Sequence, residues 1–161
     1  MNLENNKIPE RDLIKQLEEL FEVDKVLFVP WDTNDFTGHA DGMVRFIDNY
    51  TVLINDYSKE NEEFQRCFRM SLHNAGLDWI ELPYNPPFDP TFESAKGLYL
   101  NYFQINRVII VPTFKSKSDD KAIKVLEKVF KGNTIVTVEC SDLAEEGGLL
   151  NCITWNILKT K

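Results

Sequence analysis

The chain has 161 residues, 43% of them hydrophobic, which is enough to fill one domain core and excludes disordered and fibrous classes. Eighteen Lys and Arg against 26 Asp and Glu leave a formal charge of −8, which opposes nucleic-acid backbones and anionic membranes and favours a small cationic ligand. Cys67, Cys140 and Cys152 make no disulfide framework, no run approaches a membrane span and the first residues lack the apolar core of a signal peptide, so the sequence reads as a reduced, soluble, cytoplasmic protein.

Residues 10–22 put Leu13, Ile14, Leu17, Leu20 and Phe21 at helical spacing behind Pro9 and predict an amphipathic helix. Residues 25–29, a branched apolar run closed by Pro30, predict a buried strand. After a polar loop at 31–37 come strand-like residues 42–47, an Asp48-Asn49 turn and a second strand at 50–54, the pattern of a hairpin. A helix follows from near Ser58 with Phe64, Cys67, Phe68, Leu72 and Ala75 on one side, stops at Gly76 and gives way to a strand at 77–82. A proline-rich loop, 83–90, joins this unit to the next.

The same order then returns. Residues 98–103 and 107–111 predict paired strands, Ser118 caps a helix bearing Ala122, Val125, Leu126, Val129 and Phe130, Gly132 ends it, and 134–138 is a strand. Residues 150–158 predict one closing strand. Ile54 and Val111 are separated by the same offset of 57 as Ile80 and Thr137, so the strand-strand-helix-strand order recurs in constant register. The chain therefore divides into a half unit at 1–30, repeats at 38–82 and 97–139, and a closing half unit at 147–161. Two architectures fit this organisation: a larger repetitive α/β fold entered midway, or an α/β sandwich whose repeat is fortuitous.

Two stretches could carry chemistry. In the run from Gly38 to Asp41, His39 and Asp41 are two apart in an extended segment and project to one face, as a catalytic pair or as a hydrogen-bonded structural contact. Gly147 and Gly148 let a backbone approach a ligand closely and lead to Cys152, a nucleophile or a small buried hydrophobe. Cys67, on the apolar helix side, and Cys140, after a strand, read as structural thiols. Two histidines without a Cys-x-x-Cys pair give no basis for a metal site. Arg45 either salt-bridges near the site or points outward, His73 falls on its helix's polar side, and Trp31, Trp79 and Trp155 read as core or rim packing.

The ordered set of Thr37-Gly38-His39-Ala40-Asp41-Gly42 through Arg45-Phe46, Tyr99-Leu100-Asn101-Tyr102 with Val108 to Pro112, and Gly147-Gly148 to Cys152-Ile153-Thr154 resembles the C-terminal half of the agmatine deiminase and Porphyromonas-type peptidylarginine deiminase family. That resemblance implies an α/β partial pentein, part of a propeller of strand-strand-helix-strand units, and a cofactor-free amidine hydrolase with a place in putrescine biosynthesis. It implies Cys152 as nucleophile, His39 as acid and base, Asp41 as guanidinium anchor and Gly148 as a substrate-binding position. The implied partners are a small cationic guanidine such as agmatine, and either further copies of the chain or a complementing N-terminal half.

The departures from the family are specific. Its members usually have Asn-Ile-His before the cysteine and Gln after Cys-Ile-Thr, where this chain has Leu149, Leu150 and Asn151, then Trp155. Their N-terminal half supplies a second guanidinium-binding carboxylate and an acidic partner for the histidine. No residue here takes those roles on sequence grounds, Asp32 and Asp35 reading as solvated loop residues. A non-catalytic guanidine-binding or assembly module, truncated or split from the enzyme, is the rival reading.

Overall fold

A computed structural model of the chain describes residues 8–33, 35, 38–85 and 94–157. Most of the loop expected at 83–90 and the outer ends of the two expected half units lie outside the described residues. Helix α1 spans Glu10–Phe21, begins behind Pro9 and ends at Glu22 in the left-handed conformation. Leu13 is its buried residue, whereas Leu20 and Phe21 at its far end lie exposed. The strand expected at 25–29 does not form: the segment joins no ladder, Val26 and Val29 are half-buried, and Leu27 and Phe28 point outward. A branched apolar run becomes a strand only where another backbone pairs with it.

Strands β1 (Val44–Phe46) and β2 (Thr51–Asn55) form the antiparallel hairpin, helix α2 (Glu62–Asn74) crosses over, and β3 (Asp78–Leu82) returns parallel to β2. The second unit repeats this with β4 (Phe103–Ile105), β5 (Val108–Thr113), α3 (Asp119–Val129) and β6 (Thr134–Glu139), and a short α4 follows at Ser141–Glu145. Helix α2 starts later than expected because Asn61 is its cap, accepting Glu63 N–H at 2.8 Å, while Asp56 takes the Ser58 N–H into a turn. Ser118 stands at the head of α3 without a side-chain cap bond; Asp119 instead accepts the backbone N–H groups of Phe114 and Ser116.

Each unit opens with a one-turn 3-10 segment: Ala40–Gly42 in the first, where an extended run through His39 and Asp41 into a strand from residue 42 was expected, and Tyr99–Asn101 in the second, where strand residues were expected. The predicted repeat offset of 57 holds between the helix starts, Glu62 and Asp119. It is 58 between Arg45 and Phe103, which face Leu53 and Ile110, and 56 between Gly76 and Gly132, which follow the helices with positive φ. The second unit thus loses one residue in its hairpin turn and one between the start of its helix and the glycine that follows it.

Strand β2 explains how the units pack. Val52 and Ile54 join Met43, Tyr57, Phe68 and Leu72 in a core under α2. Leu53, on the opposite face, joins Leu82, Tyr99, Leu100, Tyr102, Ile109, Val111 and Leu126 in a core shared with the second unit. A strand covered on both faces reads as a continuous apolar run instead of an alternating one, as residues 52–54 do. This packing brings the two 3-10 segments into contact, and the candidate site is built on them.

Candidate active site

The loop before β1 is organised around Asp35. Its carboxylate accepts the backbone N–H of Gly38 at 3.2 Å and of His39 at 2.8 Å, and stands 3.5 Å from His39 Nδ1. Gly38 has φ of +70°, a conformation that glycine adopts without strain, so the chain can turn back over the Asp35 carboxylate. Asp35 is therefore an acidic neighbour of His39 and not a solvated loop residue.

Asp32 also departs from the sequence reading. Only 3% exposed, it accepts hydrogen bonds from the Tyr57 hydroxyl at 2.9 Å and the Tyr84 hydroxyl at 3.4 Å. Burial, then the Asp32 charge, pushes both phenols well above their ordinary pKa, so they stay protonated donors. Tyr57 also accepts from Asn55 Nδ2, and the same amide donates to Gly42 O at 2.8 Å. A buried polar chain thus runs from Asp32 to the turn that carries Asp41.

Arg45 does not point outward but turns in toward the second unit. Its Nη1 donates to the carbonyls of Leu100, at 3.1 Å, and Tyr102, and its guanidinium lies 3.8 Å from the Tyr102 ring centroid. Burial draws its pKa below the ordinary value, opposed by Tyr102 and by the carboxylate of Asp41. The first unit thereby clamps the carbonyls on either side of Asn101.

Residues 150–153 form turns where a closing strand was expected, and no strand occurs from 150 to 157. Ile153 N–H bonds Leu149 O and the Thr154 hydroxyl bonds Leu150 O, so local bonds take the backbone out of any ladder. Leu149 is fully buried and anchors the turn, leaving Cys152 exposed at the surface. Gly148 lies directly beneath it: a Cβ there would sit 3.5 Å from Cys152 Cβ.

Three hydrogen bonds tie these parts together. Asn151 Nδ2 donates to Asp41 Oδ2 at 3.1 Å, Asn151 N–H donates to Asn101 Oδ1 at 2.7 Å, and Asn101 Nδ2 donates to Cys152 Sγ at 3.1 Å. Asp41 therefore shares one surface region with Gly148 and Cys152, which are far from it in sequence, with His39 two residues from Asp41 and held by Asp35. Sequence reasoning missed Asp35 and the part played by Asn101, and left Arg45 open between the site and an outward course. Only Asn101 carried a signal, as a polar residue inside an apolar run.

The other thiols differ from Cys152. Cys140 is buried, and burial raises its pKa. Cys67, expected to be buried, is exposed, because the buried stripe of α2 runs through Phe68 and Leu72 and leaves it outside. Trp79 packs against the first core, whereas Trp31 and Trp155 are exposed, the latter by 87%. Among the described residues no group of three or more His, Cys, Asp or Glu could hold a metal ion, and no helix is long and apolar enough to cross a membrane.

Comparison with known proteins gives the family and the fold. The profile of the Porphyromonas-type peptidyl-arginine deiminase family matches residues 2–157. Agmatine deiminase of Medicago truncatula is 26% identical, over 93% of this chain and 49% of its own length, and that of Pseudomonas syringae is 27% identical, over 86% and 45%. The chain spans about half the length of the curated relatives it matches. Among solved structures, C. jejuni agmatine deiminase superposes with a TM-score of 0.75 at 24% identity, over 92% of this chain and 47% of that one, and the Enterococcus faecalis agmatine deiminase with 0.74 at 19%, over 91% and 48%. The repeated strand-strand-helix-strand order is thus part of a pentein, and the chain belongs to the Porphyromonas-type peptidyl-arginine deiminase family.

Proposed function

We propose that the chain carries the nucleophile-bearing part of a guanidino-group hydrolase of agmatine deiminase type. Asp41 receives two parallel hydrogen bonds from the guanidinium of a small cationic substrate, one of them replacing the Asn151 amide. The Cys152 thiolate attacks the guanidinium carbon, and protonated His39 gives its proton to the departing nitrogen as the carbon–nitrogen bond breaks and ammonia leaves. Neutral His39 then takes a proton from water as the oxygen adds to the thiouronium carbon. The carbon–sulfur bond breaks, the thiolate is restored and a ureido product leaves. No cofactor enters these steps. Gly148 leaves room beside the sulfur for the flat guanidinium.

The observation that supports this reading is the run of hydrogen bonds from the Asp41 carboxylate through Asn151 to Asn101, and from the Asn101 amide to Cys152 Sγ. The chain's span of about half its relatives supports a second element: the full site is completed by a complementing N-terminal half or by further copies of this chain. A non-catalytic guanidine-binding module is the rival, and the contact that favours it is the same Asn151 amide, which already occupies Asp41.

Labelling with a positively charged haloacetamidine, followed by peptide mass spectrometry, tests the reading. Cys67 and Cys152 are both exposed, so accessibility does not separate them. The expected outcome is preferential modification of Cys152, suppressed by agmatine and lost in Asp41→Asn; equal labelling of Cys67 and Cys152 would reject Cys152 as the nucleophile beside a cation site. Ammonia release by the chain, alone and mixed with the N-terminal half of a relative, separates enzyme from binding module.

A further inference from the structure

Asn101 is 3% exposed, yet both ends of its carboxamide are directed at the turn that bears the exposed Cys152. Oδ1 accepts the Asn151 N–H at 2.7 Å and Nδ2 donates to Cys152 Sγ at 3.1 Å. The amide orientation is fixed chemically: the flipped rotamer would set an NH2 against the Asn151 N–H, two donors face to face. Asn101 is itself held firmly, since Arg45 bonds the carbonyls of Leu100 and Tyr102 on either side of it.

A neutral thiol is a weak acceptor, whereas a thiolate is a strong one, so a buried amide N–H aimed at sulfur favours the ionised form. Packing alone does not require this arrangement, because the Asn151 N–H would be satisfied by Oδ1 whatever lay beside Nδ2. We propose that Asn101 is a positioning residue that orients Cys152 and stabilises its thiolate through the Nδ2 to Sγ hydrogen bond. This rests on the reading of Cys152 as nucleophile, but its test needs no guanidine.

The test is alkylation by neutral iodoacetamide, with Cys67 as the exposed reference and Cys140 as the buried reporter of unfolding, all read in one molecule by mass spectrometry. In the unaltered chain Cys152 reacts about tenfold faster than Cys67. Asn101→Asp keeps the acceptor for the Asn151 N–H but turns a carboxylate toward sulfur. It lowers the Cys152 rate about tenfold or more, leaves Cys67 unchanged and reduces the thiolate ultraviolet absorbance that Cys152→Ser abolishes. Asn101→Leu acts in the same direction. A Cys152 rate within about twofold of the parent in Asn101→Asp overturns the proposal. If both variants expose Cys140, the parent chain decides, and a Cys152 rate no higher than that of Cys67 overturns it. Slow iodoacetamide reaction with selective haloacetamidine labelling would reject the Asn101 role and leave the guanidine reading standing; the reverse result would do the opposite.

Discussion

Leu53 and Ile110 hold the same place on the central strands of the two units, each between an antiparallel and a parallel neighbour. Leu53 is fully buried and Ile110 only half-buried. The difference comes from outside each unit: the second unit covers Leu53, whereas the described residues leave the corresponding face of β5 beside β6 partly open, with Val136 and Val138 exposed. A repeated unit thus supplies the same backbone twice, and its neighbours decide which faces become core. Substitution should expose the contrast. Leu53→Ala is expected to destabilise the fold by about 3 kcal/mol, and Ile110→Ala by about 1 kcal/mol, in urea unfolding. Equal losses would mean that β5 is covered in solution, for instance by further copies of the chain or a complementing half.

Tyr57 and Phe114 are a second pair related by the repeat, and they differ in polarity. Phe114 packs its ring on Tyr99, whereas Tyr57 donates to buried Asp32 and accepts from Asn55 beneath the loop that holds His39 and Asp41. Tyr57→Phe leaves Asp32 one donor short and is expected to destabilise the fold by about 2 kcal/mol. It should also change the alkaline limb of stability. The Tyr57 pKa is raised in the fold, so its contribution is complete below the unfolded value of about 10 and is lost as the pH rises above it. Above about pH 10 the parent should therefore lose stability more steeply than Tyr57→Phe, by about 1.4 kcal/mol per pH unit for this one group. Parallel limbs in the two proteins would mean that the phenol is free to ionise in the fold.

The repeat was legible in the sequence because it is local: hairpin, helix and returning strand each carry their own periodicity and stop signals, as Gly76 and Gly132 show. Residues 25–29 and 150–158 carried strand-like composition too, but a strand also needs a neighbour, and composition does not report one. The site divides along the same line. His39, Asp41, Gly148 and Cys152 stood out through residue type and resemblance, whereas Asp35, Arg45 and Asn101 act through bonds formed only after chain reversal or unit packing. Asp32 looked solvated because no local feature of a polar loop foretells two tyrosine hydroxyls arriving from residues 57 and 84.

Asn61 and Ser118, a third pair related by the repeat, head the two helices, and both are residue types that cap well. Only Asn61 does so through its side chain, accepting Glu63 N–H at 2.8 Å and Phe64 N–H at 3.4 Å. In the second unit Asp119 binds Phe114 and Ser116 N–H groups, closing the loop in front of α3, while the Ser118 hydroxyl accepts from Asn85 instead. Asn61→Ala should therefore cost about 1 kcal/mol, as loss of a helix cap usually does. Ser118→Ala should fall within about 0.5 kcal/mol of the parent, the range of surface changes away from such features. Asp119→Ala should recover the larger loss, because it frees two backbone donors at once. Urea unfolding of the three variants separates them. A Ser118→Ala loss as large as that of Asn61→Ala would show that Ser118 caps α3 in solution and that the two helix starts are alike.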